Sequence, residues 1–181
     1  TNAPFLFGHD LWAETRIPLF EQAVELGGLG GANFGPMKRV SFGSGYARDS
    51  VMECFTENHE HFPILLPVEY GSPVEELKHL RLHNGTIWRW NRPLIGFDAD
   101  GTPHIRIEHR VIPAGPTIID AFANTAFYFG LQQAFMDRST PIEHDIEFAH
   151  SRDTFYAPTK HGLQARLRWQ GKHVPVRTLL L

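Results

Sequence analysis

Two arginines flank one carboxylate at alternate positions in His104-Ile105-Arg106-Ile107-Glu108-His109-Arg110. In a strand, successive side chains point to opposite faces. Ile105 and Ile107 then take one face, and His104, Arg106, Glu108 and Arg110 the other. The charged groups repeat about 7 Å apart along that face. A carboxylate between guanidinium groups suits a metal–phosphate site: the carboxylate holds Mg²⁺ and the guanidinium groups hold phosphoryl oxygens. An outward polar face is also what an ordinary antiparallel strand shows to water. A second segment, Thr86 to Arg92, places Thr86, Trp88, Trp90 and Arg92 on one face. Two indoles beside an arginine are either a nucleotide platform or core.

Other candidates carry less chemistry. Cys54 is the single cysteine, so no intramolecular disulfide forms and a reducing, cytoplasmic setting fits. Its run Val51-Met52-Glu53-Cys54-Phe55 reads as a buried, inert thiol. His59-Glu60-His61 is the one tight histidine cluster, but a helix does not put residues two apart on one face. Asp98 and Asp100 lack the glycine and glutamate spacing of a calcium loop and read as an ordinary turn.

The elements that must position these groups follow from pattern. Asp98-Ala99-Asp100-Gly101 supplies turn residues between strands at 86–92 and 104–110, which makes an antiparallel hairpin. A helix is expected over 8–26, strained by Pro18, then a Gly-rich loop over 27–36 and a short strand at 39–42. A helix is expected over 49–59, an extended edge segment at 62–66, and a helix start at Ser72-Pro73. Residues 116–138 form the strongest helix, apolar nearly all round and therefore expected to be buried. Asp120, Asn124, Tyr128 and Gln132 form its narrow polar stripe. A further helix is expected over 141–156, and the tail 169–181 is ambiguous. The mixture lacks βαβ alternation. The fold class is α+β, an antiparallel sheet flanked by helices, in a single domain over 1–181.

Composition narrows the partners. The 181 residues are 42% hydrophobic and 12% aromatic, which is globular rather than disordered. A net charge of -3 points away from nucleic acid and anionic membrane surfaces. No run of about 18 apolar residues is present and no signal peptide is visible.

Three segments, in order, resemble the glutamate–cysteine ligases of the plant and bacterial type. The first is Asn2-Ala3-Pro4-Phe5 with Gly8 and Arg16. The second is His83-Asn84-Gly85-Thr86-Ile87-Trp88 with Arg92. The third is Ile107-Glu108-His109-Arg110 with Gly115-Pro116 and a hydrophobic helix. The resemblance covers about residues 1–136. It implies a glutamine-synthetase-like catalytic domain in which ATP phosphorylates the γ-carboxylate of glutamate and cysteine attacks the acyl phosphate. The product is γ-glutamylcysteine, on the route to glutathione. It implies ATP and Mg²⁺ as cofactors, with Glu108 as the metal ligand. The resemblance implies that Arg110 and Arg92 are catalytic, with Arg110 on the phosphoryl group, that Arg92 and Arg16 bind phosphate or the substrate carboxylate, and that His83, Thr86 and Arg106 line the substrate or nucleotide pocket. Arg16, Arg92 and Arg110 are then expected to converge. The family's close-spaced glutamates have no match here, and Ala3 stands where Ser is usual. The chain opens on Thr1 rather than Met and resembles the C-terminal part of such a ligase. A missing N-terminal half or a partner chain would complete the site. Other readings are a ligase with another amine acceptor, or a non-catalytic ligand-binding or regulatory domain.

Overall fold

The computed structural model describes residues 5–6, 8–23, 36–113 and 115–180. Asn2-Ala3-Pro4 of the first motif and most of the Gly-rich loop lie outside the described residues. In chain order the elements are β1 (Phe5–Leu6), β2 (His9–Asp10), α1 (Arg16–Ala23), β3 (Val40–Ser41), α2 (Glu53–His61), α3 (Lys78–Gly85), β4 (Trp88–Arg89), β5 (Asn91–Phe97), β6 (Pro103–His109), α4 (Ile118–Met136), α5 (Phe148–His161), β7 (Arg166–Trp169), β8 (Lys172–Pro175) and α6 (Val176–Leu179). The mixture of helix and strand is the expected α+β. The strands pair, however, as four two-stranded ladders among the described residues, not as one continuous sheet. Three ladders are antiparallel and β3–β4 is parallel.

The chain, read from sequence as one domain, divides by its contacts into two compact units. One comprises Thr1–Leu19 and Ile112–Leu181, the other Phe20–Val111. In the second unit, Val40, Phe55, Phe62, Ile87, Trp90 and Ile95 are buried. The β5–β6 hairpin dominates it, with register from Asn91↔His109 to Phe97↔Pro103. The expected turn closes it: Asp98 N–H donates to Thr102 O at 2.9 Å, and Gly101 takes φ 87. Only glycine adopts that backbone without strain. Pro93 is tolerated because β5 is an edge strand, bonded to β6 alone. The first strand of the hairpin starts later than the expected 86–92. Thr86 ends α3, and Trp88–Arg89 pairs with β3 instead.

In the first unit α1 begins at Arg16, not at residue 8. Gly8 at φ 77 turns the chain between β1 and β2. Pro18 then falls in the first turn of α1, where its missing N–H is harmless. The tail resolves into the β7–β8 hairpin, whose Gln170 and Gly171 both have positive φ, as a two-residue type I′ turn requires. The strongest helix forms as expected, opened by a capping box between Thr117 and Asp120. Its expected burial is corrected: α4 has no buried residue, and Ile118, Ile119, Phe122 and Met136 are each more than 70% exposed. An all-round apolar surface needs cover on every side, and these residues stand exposed. Among the described residues, no helix is long and apolar enough to cross a membrane.

Candidate functional site

Hairpin register brings the predicted charges together. Arg92 stands opposite Glu108, Leu94 opposite Arg106, and Gly96 opposite His104. Arg92 Nη2 lies 2.8 Å and its Nε 3.1 Å from Glu108 Oε2. Arg110 Nε lies 3.5 Å from the same oxygen. One carboxylate is thus shared by two guanidinium groups, and the trio keeps a net positive charge. Arg110 is fixed from behind. Its N–H donates to Trp90 O at 2.9 Å, and its guanidinium carbon sits 3.3 Å from the Trp88 ring centroid. Trp88 in turn packs against Phe20, centroids 3.8 Å apart, and against Trp90 at 5.8 Å. The tryptophan pair is therefore core and arginine support together.

A cavity of about 460 Å³ adjoins this cluster. Arg92 and Arg106 line it from the hairpin, and Lys78 and Arg81 from α3. Phe55, Tyr70 and Leu94 add apolar wall, and no Asp or Glu is among the lining residues. Lys78 pairs with Glu76 at 2.6 Å. Arg81 lies over the Phe97 ring at 5.7 Å. Arg81 and Arg106 have no carboxylate partner among the described residues. Lys78 and Arg81 were not singled out from sequence. Their three-residue spacing on one helix is the signal that places them on a common face.

The remaining predicted residues lie elsewhere. Thr86 Oγ1 donates to His83 O at 2.7 Å and accepts from buried Arg39 Nη1 at 3.0 Å. His83 Nε2 meets Phe62 O at 3.0 Å, so that nitrogen carries a proton. Burial pushes the His83 pKa down, which favours the neutral ring. Both residues line a separate, apolar cavity of about 160 Å³ with Ile64, Val68 and Leu82. Arg16 belongs to the other unit, where its Nε lies 3.7 Å from Glu14. Of the three arginines expected to converge, Arg92 and Arg110 meet at Glu108.

Among the described residues, no group of three or more His, Cys, Asp or Glu is placed to hold a metal ion. The Glu108 side chain is 37% exposed, so its carboxylate, though shared by two arginines, is reachable from solvent. Mg²⁺ is held by one or two carboxylates plus substrate phosphates and water, and a single open carboxylate meets the minimum of that set. Burial raises the Cys54 thiol pKa, which agrees with an inert side chain. Comparison of the chain with family models, with curated proteins and with solved structures finds no match.

Proposed function

We propose that this chain serves ATP-dependent carboxylate–amine ligation, joining the γ-carboxylate of glutamate to the amine of cysteine. The observation that carries the reading is Glu108 held between Arg92 and Arg110, beside a cavity lined by cations. Phosphoryl transfer asks the protein mainly to clamp charge and hold position, not to supply covalent chemistry. Guanidinium groups suit that task because their planar forks match phosphoryl and carboxylate oxygens.

In this reading Glu108 would help to hold Mg²⁺, whose chemistry when bound would be to neutralise charge on the phosphate chain. Arg92 and Arg110 orient the transferring group and stay fixed, one by the ladder and one by Trp88. Arg106 binds the same anion from the neighbouring position. His83 and Thr86 act at one remove, by fixing the segment between α3 and β4. Arg16 is read as a contact for a substrate carboxylate, and further carboxylates would come from a partner chain.

A second reading, a ligand-binding or regulatory domain without catalysis, is favoured by one observation: Glu108 stands without two further metal-ligating side chains among the described residues. One experiment separates the two. The chain, alone and with a companion segment bearing the missing carboxylates, is mixed with MgATP, glutamate and cysteine. Ligation requires ADP release that depends on both amino acids and on Mg²⁺. ATP binding with no ADP release in either mixture leaves the binding domain.

A further inference from the structure

We propose that the cavity between α3 and the β5–β6 hairpin is a binding site for a phosphate chain carried on an organic group, with Arg81 and Arg106 as its main anion contacts and Asp98 and His104 as the residues that position Arg106. Four cationic side chains line the cavity, and Glu76 and Glu108 pair with only two of them. Two positive charges are left facing one space. Such an arrangement is unfavourable until an anion arrives. A carboxylate monoanion would neutralise one charge. A phosphate chain brings several charges and acceptor oxygens spaced along its length, which matches cations supplied from two separate elements. Phe55, Tyr70 and Leu94 offer apolar wall for the organic part of the ligand.

Arg106 is held by a short chain of contacts. Arg106 Nη1 meets His104 Nε2 at 3.1 Å, and His104 Nδ1 meets Asp98 Oδ1 at 3.2 Å. A guanidinium can only donate, so Nε2 accepts and the ring proton sits on Nδ1, facing the aspartate. The imidazole lies over Gly96. A Cβ there would stand 2.4 Å from His104 Nε2 and 3.0 Å from Arg106 Nη1. Glycine at 96 is what lets the ring reach this place, and the ring fixes the guanidinium. Neither Asp98 nor His104 lines the cavity, so both act through Arg106.

The inference deepens the ligase reading by naming what fills the cavity, and binding tests it apart from turnover. The full chain is titrated calorimetrically with tripolyphosphate, with ATP and with adenosine. Tripolyphosphate and ATP should bind and adenosine should not. ATP binding more tightly than tripolyphosphate marks the nucleotide as the occupant. Arg81→Ala and Arg106→Ala should each weaken ATP by about tenfold, the scale of one charge-assisted contact. His104→Ala should weaken it several-fold in the wild-type background and not at all in Arg106→Ala, because it acts through that side chain. Gly96→Ala keeps all four cationic residues but crowds His104 and Arg106, and should weaken ATP at least as much as His104→Ala. Unliganded melting temperatures serve as the folding control. Wild-type affinity in Arg81→Ala and Arg106→Ala overturns the site, and full additivity of His104→Ala with Arg106→Ala overturns the positioning role. Binding without amino-acid-dependent ADP release, both in the chain alone and with the companion segment, keeps this inference and removes the ligase reading. ADP release and ATP affinity unchanged in Arg81→Ala do the reverse.

Discussion

Arg110 places its guanidinium carbon 3.3 Å from the centroid of the Trp88 ring while its Nε reaches to 3.5 Å from Glu108 Oε2. The indole supports the cation, and the cation shares the carboxylate with Arg92. A partly exposed ion pair is worth at most about 1 kcal/mol, and the cation–π contact adds about 0.5–2 kcal/mol. Arg110→Gln should therefore lower stability by about 1–2 kcal/mol and remove most of the thermal shift that ATP produces. Denaturant melts with and without ATP measure both. An unchanged ATP-induced shift in this variant would mean that Arg110 only supports the fold.

Acid should loosen the fold through two histidines. Burial pushes the pKa of both His83 and His109 below the ordinary histidine value. The unfolded chain then binds more protons than the folded chain below about pH 6.5, so stability is full above that pH and falls as the pH drops toward the lowered folded values. Glu57 adds to the loss at lower pH. Burial opposes ionisation there, but hydrogen bonds from Ser44 and Arg89, with the Arg89 charge, outweigh it and hold its pKa below the usual carboxylate range. His83→Gln keeps a donor for Phe62 O and cannot titrate. Urea midpoints between pH 5 and 8 should show a shallower slope in that variant than in the wild type. Equal slopes would assign the acid sensitivity to other groups.

Thr86 separates a structural role from a ligand-binding one. Its hydroxyl bridges His83 O and the guanidinium of Arg39, a side chain only 1% exposed. Removing that oxygen takes one acceptor from a buried cation. Thr86→Val should cost about 1–3 kcal/mol of stability while ATP affinity stays as it was. Loss of ATP affinity at unchanged stability is the contrary result, and it would return Thr86 to the nucleotide pocket.

The hairpin and its charges were legible because their signals are local. Asp98 to Gly101 has turn chemistry, and period-two alternation put Arg106, Glu108 and Arg110 on one face. What escaped depends on partners distant in sequence. Thr86 to Arg92 has the look of one strand, but Thr86 caps α3, and Trp88 pairs in parallel with Val40, 48 positions away. No local pattern announces a two-residue parallel bridge. Lys78 and Arg81 were missed because the three-residue spacing on α3 gains meaning only when that helix borders the hairpin cavity. His83 and Thr86 were assigned by resemblance, and their polar atoms meet Phe62 O and Arg39 instead. The β7–β8 turn was within reach: Gln170-Gly171 between alternating residues is a hairpin signal of the X-Gly kind.

The apolar surface of α4 sets the sharpest test of packing. Pattern alone predicts burial, since Ile118, Ile119, Phe122, Phe127 and Phe129 leave only the narrow stripe of Asp120, Asn124, Tyr128 and Gln132 polar. In the structure Ile118, Ile119 and Phe122 are 77%, 79% and 72% exposed. The two situations differ widely in energy. Truncating a buried Ile or Phe to Ala costs about 2–5 kcal/mol, whereas exposed substitutions change stability by about 0.5 kcal/mol or less. The chain in dilute solution should bind a hydrophobic dye such as ANS under native conditions. Ile118→Ser, Ile119→Ser and Phe122→Ser together should reduce that dye signal and lower the melting temperature by no more than about 5 °C. The capping box of Thr117 and Asp120 is untouched by these changes, so helix α4 should keep its circular-dichroism signal. A loss of several kcal/mol from the triple variant would show that these side chains are covered in solution, and α4 would then return to the core.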